Sequence, residues 1–594
     1  MQVLKFGGSS VANAVNIKKV KDIIEQRAKD KKTIVVASAL GGITDNLLQC
    51  GELAANADVR HKTLLQQVTQ QHLDTVKELL PLTAQSSILS FVMQQFNEVE
   101  DICNGVALLN EFSNRTKDRI LSYGELISSK ILSAYLTSGG LTNTWIDARK
   151  LIITDSTHTK AAVQFAKTEE AIVSCFSRES NGLFIVPGFI SADENGYTTT
   201  LGRGGSDYTA AIIGAALQAE VVEIWTDVSG MMTADPRLVN NARHIEKISY
   251  HEAMELSHFG AKVIYPPTIQ PLMNKKIPVW IKNTFAPEEY GTIINGEGGT
   301  MDSSIRGISS MNRIALLSLE GSGMVGIPGF SKRLFEALAN NSINVILITQ
   351  ASSEHSITVG VEESLADKAK TTIDKAFSYE IAKASLNPLV VERGLAIIAL
   401  VGDNMKNHPG ISGRMFGILG RNGVNVRAIA QGSSERNISA VLAAVDIKKA
   451  VNVLHEEFFE TTYKQVNLFI AGTGNVGSKL LAQIKQQQDY LQHHLKLQFR
   501  IAGLTNSRKM VVDEAINAEN WKEILATGEP TNIEEFIKRM KEKNLRNSVF
   551  VDVTANDVVA GTYNSVFEKS ISVVACNKIA CSSPYNVYKN LKDL

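Results

Sequence analysis

The stretch Val3-Leu4-Lys5-Phe6-Gly7-Gly8-Ser9-Ser10 opens the chain with an apolar strand that runs into two glycines, and a helical pattern of apolar residues follows at 17–24. A strand that feeds a glycine turn and then a helix N-terminus presents backbone N–H groups and a positive dipole to an anion. The Lys5 side chain adds a full positive charge. The stretch therefore predicts a phosphate-binding loop, although an ordinary glycine-rich turn is the alternative.

Strand and helix patterns continue to alternate through the first 300 residues. Apolar runs at 33–37, 183–186 and 221–225 are separated by helical patterns such as the one at 120–131. This alternation predicts an α/β sandwich with a largely parallel sheet. Ligands of such sheets bind at the carboxyl ends of the strands, which is where the polar segments 38–44 and 226–227 fall.

Composition narrows the class of partner. The chain has 594 residues, 44% hydrophobic and 21% charged, which is enough for several packed domains. Lys plus Arg equals Asp plus Glu at 61 each, so no overall charge attracts nucleic acid or an anionic membrane. The five cysteines are scattered, and neither a signal peptide nor a membrane-spanning apolar run is evident. We therefore expect a cytoplasmic protein that binds small molecules.

Two further segments supply opposite charges. Glu125 ends the helical segment 122–125, and Arg203 lies in the glycine-rich segment 202–207. An Arg guanidinium suits a carboxylate and a Glu carboxylate suits an ammonium group, so the pair could bind an amino acid. The alternatives are a solvated helix face for Glu125, a surface ion pair for Arg203 and a simple helix N-cap for Asp207.

Five segments taken in order resemble the aspartate kinases, which have the amino acid kinase fold. They are Lys5–Ser9, Ser122–Glu125, Gly202–Asp207, Thr226–Arg237 and Gly260–Val263. The resemblance implies transfer of the γ-phosphoryl group of ATP to the side-chain carboxylate of L-aspartate. It also implies that Mg²⁺ arrives on the nucleotide phosphates, and no metal site built by the protein is predicted.

The same resemblance assigns roles to individual residues. Lys5 and Asp207 would be catalytic, with Lys5 neutralising the transferring phosphoryl group and Asp207 holding Lys5 in register. The residues expected to bind ATP are Lys5, Gly7, Gly8, Ser9, Thr226, Asp227, Met232, Arg237, Lys262 and Val263. The residues expected to bind aspartate are Ser38, Thr44, Glu125, Arg203, Gly204, Gly205 and Ser206.

An internal repeat follows the kinase-like part. Pro328–Phe335 recurs 81 positions later as Pro409–Phe416, and a duplicated unit of strand, helix, strand and strand explains the repeat. The alternative is a pair of structural repeats that only dimerise. The copies resemble paired ACT domains, which implies regulation by an amino acid, with threonine expected. The effector-binding candidates are Asn344, Gln350, Asn425 and Gln431.

After the repeat, the strand pattern 466–470 leads into Gly472-Thr473-Gly474-Asn475-Val476-Gly477 and a helical pattern. Strand, G-x-G-x-x-G and helix together predict a partial Rossmann domain, and an idle glycine turn is the alternative. The second strand leads to 505–509 without an acidic residue, which favours NADP. This part resembles the cofactor half of homoserine dehydrogenase. The cofactor-binding candidates are Gly472, Gly474, Asn475, Val476, Gly477, Asn506, Ser507, Arg508, Thr554 and Lys578.

The resemblances set the domain boundaries that we predict. They are a kinase domain at 1–300, a first ferredoxin-like α+β ACT domain at 301–390, a second at 391–462 and an NAD(P)-binding domain at 463–594, with a strand of the second ACT domain interlaced near 305–310. We expect the dehydrogenase to be truncated after its cofactor domain. A homodimer or homotetramer is expected because ACT modules usually pair across subunits. A kinase of glutamate or carbamate and a non-catalytic amino-acid sensor remain open alternatives.

Overall fold

A computed structural model describes residues 1–178, 182–260, 263–298, 304–325, 327–350, 355–403, 405, 408–432, 436–459, 464–513 and 516–594. The chain divides into two compact units. The first comprises Met1–Met232 and Arg243–Arg306, and the second comprises Thr233–Ala242 and Gly307–Leu594. In the described ranges, no helix is both long and apolar enough to cross a bilayer.

The first unit alternates strands and helices along the chain. Its strands are β1 (Gln2–Phe6), β2 (Thr33–Ala37), β3 (Thr144–Trp145), β4 (Ile153–Thr154), β5 (Leu183–Pro187), β6 (Ile190–Asp193), β7 (Thr198–Thr200), β8 (Val221–Thr226), β9 (Met231–Met232), β10 (His244–Ile245), β11 (Lys247–Ser249), β12 (Val279–Asn283) and β13 (Thr292–Asn295). Its helices are α1 (Ala14–Arg27), α2 (Ile43–Ala55), α3 (Arg60–Leu79), α4 (Leu82–Leu109), α5 (Asn114–Ser138), α6 (Phe165–Arg178), α7 (Gly205–Ala216), α8 (Tyr250–Phe259) and α9 (Gln270–Lys275).

The main sheet of this unit has the strand order β11-β13-β12-β8-β1-β2-β5-β3. It is parallel except for the β12–β13 pair, as the alternation of patterns predicted. All five residues of β1 are buried, because Leu4 and Phe6 join a core formed with α1–α5 while Val3 packs toward α7 on the other face. Helices on both faces make the sandwich that the sequence predicted.

The helix behind the glycine loop contains the predicted apolar pattern at 17–24, but it does not begin directly at the glycines. Residues 7–13 form a turn in which the N–H groups of Ser10 and Val11 donate to the carbonyl of Gly7. Helix α1 starts at Ala14, where Asn13 caps it by accepting a hydrogen bond from the N–H of Asn16. The helix N-terminus is therefore six residues beyond Gly8, and the loop itself lies directly at the end of β1.

The second unit contains the repeat and the C-terminal strands and helices. Its strands are β14 (Gly307–Glu320), β15 (Leu347–Gln350), β16 (Ser356–Glu362), β17 (Val390–Val401), β18 (Val426–Gln431), β19 (Asn437–Ala443), β20 (Lys464–Ala471), β21 (Leu497–Thr505), β22 (Lys509–Val511), β23 (Glu529–Pro530), β24 (Ser548–Asp552) and β25 (Ser572–Ala575). Its helices are α10 (Phe330–Asn340), α11 (Ala366–Ala376), α12 (Ser378–Ala382), α13 (Ile411–Arg421), α14 (Ile447–Phe459), α15 (Asn475–His493), α16 (Trp521–Ala526), α17 (Ile533–Lys543), α18 (Asp557–Ala560), α19 (Tyr563–Phe567) and α20 (Tyr585–Asp593).

The two copies of the repeat share one antiparallel sheet with the order β15-β16-β14-β17-β19-β18. Helices α10 and α13 begin 81 positions apart, and so do strands β16 and β19. Strand β14 serves both copies, because its first half, 307–312, pairs with 396–401 of the second copy while 316–318 pairs with 390–392. Within the stretch near 305–310, the residues from Gly307 onward thus pair with a strand of the second copy.

The last part of the second unit is a sheet with the order β23-β22-β21-β20-β24-β25. Strands β21, β20, β24 and β25 run parallel, and α15 connects β20 to β21. This β-α-β arrangement places the glycine-rich turn at the carboxyl end of β20, which is where such sheets bind nucleotides.

Candidate active site

The glycine loop after β1 is joined to the neighbouring strand β8. The N–H of Gly7 donates to the carbonyl of Trp225 at 3.0 Å, so the ends of the two strands lie side by side. A methyl group on Gly7 would lie 3.3 Å from Lys5 Nζ. A side chain at position 7 would therefore crowd the lysine, and glycine leaves that space open.

Lys5 and Asp207 form the closest charged contact of the site. Lys5 Nζ lies 2.6 Å from Asp207 Oδ1, and the two side chains are only 11% and 14% exposed. Asp207 is in the first turn of α7, where the helix dipole favours a negative charge. The helix is capped by Gly204 at φ +70°, so Asp207 is not the N-cap that the sequence left open.

A cavity of about 530 Å³ opens beside this ion pair. The predicted residues that line it are Lys5, Gly8, Ser38, Thr44, Glu125, Arg203, Gly204, Gly205, Ser206 and Asp207. The lining residues that were not among the candidate site residues are Ala39, Leu40, Gly42, Asp45, Leu121, Thr159, Phe189, Thr200 and Gly202. The predicted catalytic pair and every candidate for aspartate binding therefore meet in one place, although they come from four segments of the chain.

Glu125 is the most unusual group in that cavity. It is 3% exposed, and its Oε2 has no hydrogen-bond partner in the part of the chain that the structure describes. Burial raises the pKa of the Glu125 carboxyl to about 8, while hydrogen bonds from the backbone of Ala39 and of Glu125 itself act in the opposite direction. A buried carboxylate with an open oxygen is suited to a cationic ligand.

Arg203 presents a contrasting environment. Its side chain is exposed, and its guanidinium lies 5.6 Å from the centre of the Tyr265 ring. A methyl group on Gly204, the next residue, would lie 2.9 Å from the Cβ of Tyr265. Close packing at Gly204 thus holds the backbone next to Arg203 while leaving the guanidinium accessible to a carboxylate.

The candidates for ATP binding lie partly outside the cavity. Thr226 and Asp227 follow β8, and Thr226 Oγ1 donates to Asp227 Oδ1 at 3.1 Å. Met232 is half-buried in β9, and Val263 is half-buried. Arg237 belongs to the second unit, where it forms an exposed ion pair with Asp235 at 2.6 Å. Lys262 lies outside the described residues.

The effector candidates occupy equivalent places in the two copies of the repeat. Asn344 precedes β15 and Gln350 ends it, and Asn425 and Gln431 stand in the same relation to β18. All four side chains are exposed. Gln431 Oε1 accepts a hydrogen bond from Ser412 Oγ at 3.3 Å, which links the strand to the start of α13.

The glycines of the G-x-G-x-x-G turn have distinct surroundings. Gly472 has φ +102°, a conformation that favours glycine. A methyl group on Gly477 would lie 1.9 Å from the carbonyl oxygen of Gly472, so α15 can pack on the turn only with glycine there. Nothing described lies within 4 Å of a methyl group built on Gly474. Asn475 and Val476 are exposed in the first turn of α15. Dinucleotide-binding turns have these features.

The remaining cofactor candidates lie on loops at the same edge of that sheet. The side chain of Asn506 accepts hydrogen bonds from the N–H groups of Arg508 and Lys509, while Ser507 and Arg508 are exposed. Thr554 follows β24 and Lys578 is exposed after β25. Arg508 and Asn506 thus lie beyond the second strand, at the edge of the sheet where a dinucleotide would bind.

Sequence reasoning missed the buried carboxylates that organise these loops. Asp552 accepts hydrogen bonds from Thr554, Tyr563 and Asn577, and thereby holds two loops of the NAD-binding part together. Asp118 is likewise a buried carboxylate that accepts hydrogen bonds from other segments, beside the cavity that contains Lys5, Glu125 and Arg203. Its position two helical turns before Glu125 is the signal that could have found it.

Comparison with known proteins places these features in families. The family model for the amino acid kinase family matches residues 1–283, that for the ACT domain matches 317–377 and 398–458, and that for the homoserine dehydrogenase NAD-binding domain matches 472–594. The chain is therefore a kinase with the amino acid kinase fold, followed by paired ACT domains and an NAD-binding domain. The predicted order of folds is confirmed.

Similarity over the whole chain identifies the family more narrowly. The chain is 34% identical to the bifunctional aspartokinase/homoserine dehydrogenase of Haemophilus influenzae, with 100% of this chain and 73% of the relative covered. It is 33% identical to the chloroplastic enzyme 1 of Arabidopsis thaliana, of whose length it spans 66%. The chain belongs to the bifunctional aspartokinase/homoserine dehydrogenase family.

Solved structures agree with this assignment. Escherichia coli aspartokinase III in complex with aspartate and ADP, in the R-state, is 31% identical with a TM-score of 0.67. The same enzyme in complex with lysine and aspartate, in the T-state, is 30% identical with a TM-score of 0.64. Each match covers 77% of this chain and all of that structure.

Proposed function

We propose that the first unit transfers the γ-phosphoryl group of ATP to the side-chain carboxylate of L-aspartate, which yields 4-phospho-L-aspartate and ADP. The observation that carries this proposal is the meeting of Lys5, Glu125 and Arg203 in one cavity. Aspartate has one ammonium group and two carboxylates. Glu125 would bind the ammonium group, Arg203 the α-carboxylate, and Lys5 would face the reacting end.

The reaction needs few groups from the protein. The attacking carboxylate is already ionised at neutral pH, because its ordinary pKa is about 3.9, and no general base is required. Its oxygen forms a bond to the γ-phosphorus while the bond to the β–γ bridging oxygen breaks, and that electron pair leaves with ADP. Lys5 would neutralise the charge on the transferring phosphoryl group. The ion pair with Asp207 holds the ammonium group of Lys5 at the glycine loop. Mg²⁺ would be held mainly by the phosphates.

For the NAD-binding domain we infer a preference for NADP. Exposed Arg508 and Ser507 follow the second strand of this sheet, and no acidic side chain occupies 505–509. When bound, the cofactor would supply hydride chemistry. The two relatives compared above are named bifunctional aspartokinase/homoserine dehydrogenases, and this chain spans 66% and 73% of their lengths. The contribution of this chain is the turn at Gly472–Gly477 and the loops that would bind the cofactor.

We further propose that an amino acid regulates the kinase by binding near Asn344 and Gln350 or near Asn425 and Gln431. Threonine is the expected effector, and the equivalent exposed positions of the four side chains support a duplicated site. An effector acts only if it binds two states unequally. Titration of kinase activity with threonine and lysine, beside the variant Gln431→Ala, would identify the effector.

Assembly and location are also inferred. A homodimer or homotetramer is supported by Ile348 and Ile429, which lie on the edge strands β15 and β18 and are 52% and 45% exposed. Light scattering coupled to size exclusion would measure the assembly. Balanced charge and scattered cysteines support a cytoplasmic location without nucleic-acid or membrane partners.

A coupled assay of ADP release with aspartate, glutamate, or bicarbonate plus ammonia tests the proposed reaction. We expect turnover with aspartate alone, and turnover with glutamate but not aspartate would overturn the proposal. Lys5→Ala should lower kcat by at least about a thousandfold, because it removes a charge aimed at the transition state. The matched control is Lys167→Ala, which removes a lysine from an exposed ion pair with Glu194 and should retain activity.

A further inference from the structure

A buried carboxylate that the proposed reaction does not use lies beside the aspartate pocket. Asp118 is on α5, and its side chain is fully buried. It accepts hydrogen bonds from the N–H of Thr159 at 3.1 and 2.9 Å and from the hydroxyl of Thr200, and it pairs with Nδ1 of His158 at 2.9 Å. A single carboxylate thus ties α5 to two other segments of the chain.

Thr159 has a backbone conformation that few residues of its kind adopt. Its φ is +71°, in the left-handed region, where a β-branched side chain is strained. The N–H of this residue is directed at both oxygens of Asp118. Such a conformation persists only where the surroundings enforce it, and the carboxylate of Asp118 is the group in position to do so.

The segment that Asp118 holds is part of the wall that carries Arg203. Thr159 and Thr200 line the same cavity as Glu125 and Arg203. A methyl group on Gly202 would lie 3.1 Å from the carbonyl oxygen of Thr159 and 3.3 Å from Cγ of Lys160, so residues 159–160 pack directly on Gly202. Gly202 itself has φ +74° and immediately precedes Arg203. A shift at Thr159 would therefore be transmitted to the backbone next to Arg203.

We propose that Asp118 is a positioning residue for the amino-acid substrate. It holds Thr159 and Thr200 in the pocket wall, and through Gly202 it sets where Arg203 meets the α-carboxylate. This inference rests on the proposed aspartate kinase reaction. Asp118 makes no described contact with Lys5 or with the glycine loop, so its effect should be confined to the amino-acid substrate.

The variants Asp118→Ala and Asp118→Asn test this inference in the ADP-release assay. We expect Asp118→Ala to raise KM for aspartate at least tenfold, with KM for ATP changed less than twofold and kcat less than threefold. Asp118→Asn keeps one acceptor and should be intermediate. The control Asp155→Ala removes a carboxylate of the same loop that binds Thr157 and Ala162, and it should change KM for aspartate less than twofold.

A second background separates positioning from general loss of structure. Glycine adopts the left-handed conformation without enforcement, so in the Thr159→Gly background Asp118→Ala should raise KM for aspartate less than threefold relative to Thr159→Gly alone. An equal rise in both backgrounds, or a parallel rise of the two KM values, would overturn the inference. The wild-type enzyme in the same assay reports on the proposed function separately, because absence of turnover with aspartate rejects that function whatever Asp118 does.

Discussion

The carboxyl group of Glu125 combines a structural cost with a use in binding. Its pKa is raised from 4.5 to about 8 by burial, so its ionisation opposes folding increasingly as the pH rises from 4.5 to 8. The charged form gains a partner only when a cation enters the cavity. Natural proteins often retain such a cost at a binding site, because the group that destabilises the free protein is the one that recognises the ligand.

Aspartate binding should therefore depend on pH through Glu125. Because the ammonium group requires the ionised carboxylate, the Kd for aspartate is expected to fall about tenfold per pH unit between pH 6 and 8 and to level off above 8. Isothermal titration at pH 6, 7, 8 and 9 measures this dependence. Below pH 8, binding should also release a proton, which titration in two buffers of different ionisation enthalpy detects.

The variant Glu125→Gln provides the control for that pH dependence. It should bind aspartate weakly at every pH, without the change between pH 6 and 8. The ligand-free variant should also have a higher Tm than the wild type at pH 8 and a smaller difference at pH 5, since it lacks the ionisation that opposes folding. A wild-type Kd that is constant from pH 6 to 8 would show that Glu125 is not the group that receives the ammonium.

Local patterns account for the residues that sequence reasoning found. Lys5, Arg203 and Asp207 each lie within two residues of a glycine near a strand or helix end, and such a short combination of glycine and charge is visible in the sequence. Asp118 was missed because its partners, Thr159 and Thr200, lie 41 and 82 positions away, and only the folded chain brings them together. The depth of Glu125, which sets its pKa, likewise depends on how α5 packs.

At the scale of elements, helix α15 shows how one glycine motif serves two purposes. Gly477 allows the helix to pack on the turn, since a methyl group there would lie 1.9 Å from the carbonyl oxygen of Gly472. Gly474 faces open space, and a methyl group there would meet nothing described within 4 Å. Gly477 is thus needed for the fold of the domain, and Gly474 is expected to let a pyrophosphate approach the backbone.

Two alanine variants should separate these purposes. Gly477→Ala forces α15 away from the turn and should destabilise the domain by about 1–3 kcal/mol, whereas Gly474→Ala should leave Tm nearly unchanged. Gly474→Ala should instead weaken NADP binding at least tenfold, because the methyl group occupies the path of the phosphates. Differential scanning fluorimetry and fluorescence titration with NADPH measure the two effects. If Gly474→Ala binds NADPH as tightly as the wild type, the turn is not part of the cofactor site.

Elements were predicted where one sequence pattern decides them. The run 33–37 is β2 to the residue, and the 81-residue offset recurs in the helices and strands of both copies. The start of α1 was not predictable from the glycine loop, because the cap formed by Asn13 determines it. The dual role of β14 depends on pairing with β17, which lies about 80 residues further along the chain.

At the scale of the whole molecule, the second ACT copy and the NAD-binding part of the second unit are joined by a buried polar network. Arg546 Nε lies 2.9 Å from Glu456 Oε2 on α14, and the two side chains are 12% and 6% exposed. The guanidinium also donates to Asn452 and Gln465. The side chain of Asn547 donates to Glu456 and to the carbonyl of Gln465. The opposite charges and the hydrogen bonds around them together compensate for the burial of the ion pair.

Removing the charge of Arg546 should therefore destabilise both the second ACT copy and the NAD-binding part where they meet. Arg546→Met leaves the carboxylate of Glu456 buried without its cation, and breaking such a pair costs about 3–5 kcal/mol. Hydrogen exchange followed by mass spectrometry should show faster exchange in both α14 and the neighbouring strand β24. The control Arg539→Met removes a more exposed arginine paired with Glu529 and Glu535, and it should leave exchange in α14 and β24 nearly unchanged because solvent screens such pairs. Equal exchange in the two variants would mean that the ACT copy and the NAD-binding part are stable independently of each other. Arg546 would then not couple effector binding in the ACT copy to the NAD-binding part.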